Sequence, residues 1–262
     1  MKLASFFNKS NYKHFYHLLK PYPKGVGNSK PDFSCFPDIQ SIVNYLEVEK
    51  YKSIVIVATG PSSRSLNYNK ENLYFCTNRA LYLMKNMPFV YLVNDGYCLV
   101  KYLKKFKSPS NWKGTFFWYF TTKTRKNSRE FDLLNTYIKT KTRSKKEAII
   151  TNTNEHHVLN HIHNELIDFL KKELEINFFG VNSGYVLLVF TYIIAYYGKK
   201  PIEIYGLDLG EKEEAYFNKT VELGKTIKSD FTKKHFKQFY DVIYNNDKIN
   251  VINHSFFMTK TH

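Results

Sequence analysis

Ser53-Ile-Val-Ile-Val-Ala58, followed at once by Thr59-Gly60-Pro61-Ser62-Ser63, is the stretch that decides the fold. A β-branched run of this length reads as a buried strand, and the Gly-Pro-Ser behind it ends that strand in a tight loop. Downstream the pattern repeats. Leu73-Tyr-Phe-Cys-Thr77 reads as a second strand ending at Asn78 and leading into a helical Arg79–Met84, and Phe89-Val-Tyr-Leu-Val93 reads as a third, ending at Asn94-Asp95. Ile176-Asn-Phe-Phe-Gly180 reads as the sheet resuming, followed by the loop Val181-Asn182-Ser183-Gly184 and an apolar helix over Tyr185–Tyr197. Ile202-Glu-Ile-Tyr205 then runs into Gly206-Leu207-Asp208, and Ile249–Ile252 reads as a last strand ending at Asn253-His254-Ser255. Short apolar strands separated by helical stretches predict an α/β protein with a doubly wound parallel sheet and right-handed crossovers.

The chain has 262 residues, the size of one large domain or of a domain with a lid. Its composition, 43% apolar with 11 Gly and 8 Pro, excludes a disordered or fibrous protein. Residues 1–50 read as a basic, aromatic extension carrying Phe6, Phe7, Tyr12, Phe15 and Tyr16, and residues 51–262 as the α/β domain. Within that domain the polar segments at about 101–170 and 211–235 are expected to form lid insertions over the strand ends. Cys35, Cys76 and Cys98 are odd in number and lack Cys-x-x-Cys spacing, which points away from a disulfide framework and toward a reducing compartment. No signal peptide is expected from the polar-interrupted N-terminus, and the 13-residue run Tyr185–Tyr197 falls short of the roughly 20 residues that cross a bilayer.

The formal net charge is +16, and residues 101–146 hold fourteen basic residues against Glu130 and Asp132. Such a field attracts an anionic membrane, a phosphorylated acceptor or nucleic acid. With Trp112, Phe116, Phe117, Trp118 and Tyr119 as stacking residues, the same segment supports a rival reading as a nucleic-acid-binding module, although no binding motif accompanies it. A solvated basic face is the plainest alternative.

In a doubly wound sheet, ligands bind beyond the carboxyl ends of the strands. Here that edge offers Gly60, Pro61, Ser62, Asn78, Asn94, Asn182, Ser183, Gly184, Asp208 and His254. This is a mostly neutral hydrogen-bonding set, suited to a base, a ribose and sugar hydroxyls; each Asn or Ser taken singly could equally be a helix cap. The loop lacks G-x-G-x-x-G, the second strand ends in Asn78 rather than an acid, and no P-loop occurs, so a dinucleotide or P-loop protein is disfavoured. His157, His161 and Glu165 could share one helical face, but the spacing is not H-E-x-x-H and a polar helix explains it as well.

Over roughly residues 53–100 and 180–255 the chain resembles the bacterial CMP-sialic acid-dependent sialyltransferases of the Campylobacter type, with related CMP-Kdo transferases. The resemblance rests on Gly60-Pro61-Ser62 preceded by Thr59 where the family has Asn, and on Cys76-Thr77-Asn78. It also rests on the aromatic strand ending at Asn94, and on Asn182-Ser183-Gly184 opening an apolar helix ahead of Gly206-Leu207-Asp208. It implies a Rossmann-like, glycosyltransferase-A-like fold with a lid, and transfer of sialic acid or Kdo from a CMP donor to an oligosaccharide or lipooligosaccharide acceptor with inversion. It further implies that no metal or other cofactor is needed, and that the enzyme is cytoplasmic and peripheral to the inner membrane. Thr59, Gly60, Pro61, Ser62, Asn78, Asn94, Asn182, Ser183, Gly184 and Asp208 would then contact the donor. Of the family's two lid tyrosines that hold the leaving phosphate, one matches Tyr216, while the other position is Gly210. His235 would be the general base, with His254 as the alternative. The Thr59 and Gly210 departures also leave open a relative that binds nucleotide without turnover; acceptor, linkage and oligomeric state are left open.

Overall fold

The computed structural model describes residues 36–84, 87–93, 114–120, 147–151, 160–177, 180, 182–211 and 229–258. Its centre is a seven-stranded sheet in which every neighbouring pair is parallel. The strands are β1 (Ile54–Val57), β2 (Leu73–Cys76), β3 (Phe89–Val93), β4 (Gly114–Phe120), β5 (Glu147–Thr151), β6 (Ile202–Tyr205) and β7 (Val251–Asn253). Four α-helices accompany them among the described residues: α1 (Ile39–Tyr45), α2 (Asn160–Glu173), α3 (Ser183–Gly198) and α4 (Asp230–Tyr244).

The sheet order is β5-β4-β3-β2-β1-β6-β7. The chain therefore walks outward from β1 to β5, returns to the other side of β1 as β6, and continues outward to β7. The strand order reverses between β1 and β6, which is where such sheets open a crevice at their carboxyl edge. Val57 is in register with Cys76 on one side and with Tyr205 on the other, so the loops after β1, β2 and β6 leave the sheet at the same height.

Successive strand residues face opposite sides. Ile54, Ile56, Leu73, Phe75, Val90, Leu92, Ile202 and Ile204 face the helices and join residues of all four in one core. Val55, Val57, Tyr74, Cys76, Tyr91 and Tyr205 face the other side and are buried too. Burial on both faces accounts for the uninterrupted apolar runs in β1 and β3. In place of α-helices, the β1–β2 and β2–β3 connections carry 3-10 turns at Pro61–Ser65 and Asn78–Leu83.

The helix α3 is apolar all round, with every residue from Tyr185 to Ala195 buried between the sheet and the other helices. The helix α4 is amphipathic: Thr232, Phe236, Phe239, Tyr240 and Ile243 recur at helical spacing and are buried. No described helix is long and apolar enough to cross a membrane.

Four sequence expectations are corrected. First, the body begins before residue 51: α1 buries Ile39, Ile42 and Val43 in the core, and Glu165 of α2 accepts a hydrogen bond from the Ile39 N–H at 3.0 Å, so residues 36–50 are not extension. Second, much of 101–170 is not lid, because it supplies β4, β5 and the core helix α2. At the far end of the other insertion, Ser229 and the first turn of α4 likewise belong to the body.

Third, of the strand expected over Ile176–Gly180, the described residues Ile176, Asn177 and Gly180 are not strand. Glu175 turns in the left-handed region (φ 55°), the Ile176 N–H returns to the Leu170 carbonyl at 2.9 Å, and the Ile176 side chain packs into the helical layer. Ile176 thus fills the core as a helix terminator, not as a sheet residue. The last strand is also shifted by two residues, starting at Val251 where Ile249 was expected.

Candidate functional site

Beyond β1 and β6 the two chains continue side by side. The Ala58 N–H donates to the Tyr205 carbonyl (2.9 Å) and the Gly60 N–H to the Gly206 carbonyl (2.8 Å). The approach leaves no room for side chains. A Cβ on Gly60 would stand 2.2 Å from Asp208 Oδ2, and one on Gly206, whose φ is +78°, would stand 2.4 Å from the Ala58 carbonyl oxygen. Glycine at both positions is therefore a requirement of the backbone.

Asp208 ties the edge together. It is only 1% exposed; its Oδ2 accepts from the Ser62 N–H at 2.8 Å and its Oδ1 from the Phe256 N–H at 2.7 Å. Ser62 returns the favour by accepting from the Gly206 N–H through Oγ (2.8 Å), and Ser255 Oγ accepts from the Leu207 N–H (3.0 Å). Loops after β1, β6 and β7 are thereby locked into one unit. Both Asp208 oxygens are engaged by backbone N–H groups, so this carboxylate shapes the site from beneath. Gly60, Pro61 and Ser62 are buried with it and form a closed floor.

Above that floor lies a half-exposed polar rim. Thr59 and Asn78 each stand two residues past the registered pair Val57–Cys76, at the carboxyl ends of β1 and β2. Asn78 sits in the left-handed region (φ 52°), and its carbonyl accepts from the Tyr91 hydroxyl at 3.1 Å. Its side-chain amide makes no hydrogen bond to the described residues. A non-glycine residue held in this conformation with an uncommitted amide is a candidate for ligand contact.

Asn182, Ser183 and Gly184 start the 16-residue helix α3 at the same edge. The side chain of Asn182 accepts from the Tyr185 N–H at 3.0 Å, which makes it the helix cap. A Cβ on Gly184 would stand 3.1 Å from Leu207 Cδ2 and 3.7 Å from Phe236 Cζ, so the first turn of α3 rests on the β6 loop and on α4. The positive end of the α3 dipole faces the crevice and favours an anion there.

The helix α4 contributes His235. Its Nδ1 lies 2.8 Å from the Phe231 carbonyl. A carbonyl only accepts, so Nδ1 carries the proton of this hydrogen bond and Nε2 is the ring's other nitrogen. The ring also packs on Phe231, with centroids 4.4 Å apart, while the following residue, Phe236, is buried edge-on against Tyr185 at 5.2 Å. Lys233 and Glu211, 2.8 Å apart, bind the first turn of α4 to the loop that follows Asp208.

His254 is engaged elsewhere. It stacks on Tyr205 (4.3 Å, 16°) on the sheet face away from the α-helices, and its Nε2 is 3.8 Å from Glu203 Oε2. Burial, reinforced by Glu203, pushes the Tyr205 phenol up to about 12. Of the two histidines, His235 stands on α4 in the helical layer and His254 on the opposite face of the sheet.

Gly210 has φ 82° and follows Leu209 at φ 48°, so a tyrosine at position 210 would be strained in this turn. Asn94 and Tyr216 lie outside the described residues, as does His157 of the His157, His161 and Glu165 set. Among the described residues no three His, Cys, Asp or Glu side chains converge as metal ligands.

Sequence reading did not anticipate Ser255, Phe256, Glu211 or Lys233. Only the polar Asn253-His254-Ser255 behind the last strand hinted at them, because hydrogen bonds between loops distant in sequence carry no local pattern. Comparison with protein-family profiles, with curated proteins and with solved structures found no match.

Proposed function

We propose that this protein is a glycosyltransferase that moves sialic acid or a related nonulosonic sugar such as Kdo from its CMP-activated form to a hydroxyl of a bacterial surface glycan, with inversion. The observation that carries the reading is the carboxyl edge at the β1/β6 reversal. There a rigid floor supports half-exposed neutral residues, Thr59, Asn78 and Ser183, at the strand ends and the start of α3, and α4, which packs near that first turn, carries His235.

Each part has a role in such a transfer. The rim hydrogen-bonds ribose and sugar hydroxyls, and the start of α3 receives the phosphate. His235 Nε2 takes the acceptor hydroxyl's proton as that oxygen bonds to the anomeric carbon; the bond from that carbon to the phosphate oxygen breaks, and CMP departs with the electron pair. Asn94 and Tyr216 are proposed to complete the donor site. A lid from the segment after Glu211, in a glycosyltransferase-A-like variant of the Rossmann arrangement, would exclude water. The basic segment 101–146 is proposed to face anionic lipid or a phosphorylated acceptor, holding the enzyme against the cytoplasmic membrane surface.

The test is calorimetric titration with CMP, using UMP, GDP and NAD as controls, at moderate fixed salt. Saturable, cytidine-selective binding is the expected result. Absence of nucleotide binding, together with tight, steeply salt-dependent association with single-stranded nucleic acid, would replace this reading with the nucleic-acid one. Given CMP binding, His235→Ala should lower transfer by roughly 10²- to 10⁴-fold while leaving CMP affinity intact. Retained transfer would remove His235 as the base.

A further inference from the structure

Asn78 opens the 3-10 turn Asn78–Leu83 behind β2, and its φ of 52° is one that a non-glycine residue keeps only where its surroundings impose it. Those surroundings are hydroxyl groups. Thr77, buried just before the turn, donates its hydroxyl to the Leu92 carbonyl at 2.7 Å. The Tyr91 ring, fully buried beside Cys76 in the register of β2 and β3, carries its hydroxyl to the Asn78 carbonyl at 3.1 Å. The strand β3 thus grips two successive residues at the end of β2. At the far end of the turn, the Tyr68 hydroxyl donates to the Leu83 carbonyl at 2.6 Å. Tyr68 is placed in turn by Tyr74, whose hydroxyl accepts from the Asn69 N–H (2.7 Å) and donates to the Asn69 carbonyl (3.0 Å), with the Tyr68 and Tyr74 rings 6.1 Å apart. Phenol hydroxyls therefore pin the turn at both ends.

We infer that Tyr91 and Tyr68 are positioning residues for the donor, holding the Asn78 turn in the one conformation that presents its amide at the carboxyl edge. The inference rests on the transferase reading, since it concerns the donor side of that same site. Phenylalanine at 68 or 91 would bury the same ring, so what tyrosine adds at each position is the hydrogen bond to the turn. Without it, Asn78 can relax toward right-handed or extended backbone, which non-glycine residues prefer, and the amide leaves its place. The donor then binds only the fraction of molecules in which the turn is set, and apparent affinity falls in proportion to that fraction.

The experiment is calorimetric titration of the full-length protein with CMP, in the wild type, Tyr91→Phe, Tyr68→Phe, Asn78→Gly and the double variant Tyr91→Phe, Asn78→Gly. For Tyr91→Phe the expected loss of CMP affinity is about 2- to 10-fold, the size of one neutral hydrogen bond, and Tyr68→Phe should shift affinity in the same direction. Glycine adopts a positive φ without help and has no amide to place, so adding Tyr91→Phe to Asn78→Gly should leave CMP affinity where Asn78→Gly alone puts it. A tyrosine that served only the fold would weaken binding in both backgrounds alike. Should Tyr91→Phe also lower the thermal midpoint, the same cycle is run with Tyr68→Phe, made at the exposed end of the turn. Unchanged CMP affinity in both phenylalanine variants overturns the inference, and so does an equal loss with and without the Asn78 amide. A wild type that binds no CMP overturns the transferase reading itself, whereas a wild type that binds CMP beside unaffected phenylalanine variants overturns only the positioning role.

Discussion

At the scale of single residues, the carboxyl edge separates groups that build the site from groups that can touch a ligand. Gly60 and Asp208 belong to the first kind. Gly60→Ala would drive a methyl into Asp208 Oδ2 and the Gly206 carbonyl, both fixed. We expect a loss of about 2–4 kcal/mol, seen as a thermal midpoint lower by several degrees. Asp208→Asn keeps the shape but offers one carbonyl to two N–H donors, those of Ser62 and Phe256. An expected cost of about 1–3 kcal/mol in chemical denaturation follows from the donor left unpaired, and a silent substitution would show that the latch is dispensable. Asn78 belongs to the second kind. Because its φ is 52°, Asn78→Ala would mix backbone strain with loss of the amide, whereas Asn78→Gly removes the amide alone. Weaker CMP binding by about 1–3 kcal/mol in Asn78→Gly, at unchanged stability, identifies a donor contact; unchanged affinity reduces Asn78 to a turn residue.

At the scale of elements, what could be read in the sequence depended on how local the controlling physics was. The strands β1, β2 and β3 were legible because burial on both faces leaves continuous apolar runs, and α3 because it is apolar throughout. The strand β4 was not. Its Gly114-Thr-Phe-Phe-Trp-Tyr-Phe120 is flanked by lysines and drew attention as a stacking surface, yet its backbone pairs with β3 on one side and β5 on the other. Strand pairing is a long-range property that an aromatic run does not announce. The 3-10 turns after β1 and β2 were likewise read as a loop and a helix, since a single turn has no period to recognise. One element responds to pH in a known direction. In α2, desolvation lowers the His163 pKa below its ordinary value. The unfolded chain, titrating near 6.5, then takes up a proton that the folded one resists, so stability is lost as pH falls below about 6.5 and is retained above it. His163→Gln should flatten the dependence of the thermal midpoint between roughly pH 6.5 and 5, and an unaltered slope would assign that dependence to other groups.

At the scale of the whole molecule, the fold places its binding edge by topology and its stability in one aromatic core on the helical side. Two consequences meet in the buried phenols. The hydroxyls of Tyr192 and Tyr240 are buried with no hydrogen-bond partner among the described residues. Burial raises the pKa of both, as it does for Tyr185 in the same core and, to about 12, for Tyr244. Each phenol is therefore held neutral in the folded protein at a pH where the unfolded chain, titrating near 10, already ionises. The folded state then binds more protons than the unfolded one, so stability is fully present below about pH 10 and declines as pH rises toward the folded values. Scanning calorimetry from pH 7 to 11.5 should show a midpoint that holds and then falls steeply. The double variant Tyr192→Phe, Tyr240→Phe removes two of the groups responsible, so its decline above pH 10 should be shallower. At neutral pH it also removes two unpaired polar atoms from the core without altering its shape, and its midpoint should equal or exceed that of the parent. A lower midpoint at pH 7 would mean that these hydroxyls are hydrogen-bonded in the protein. The core between α3 and α4 would then depend on polar contacts as well as on apolar packing.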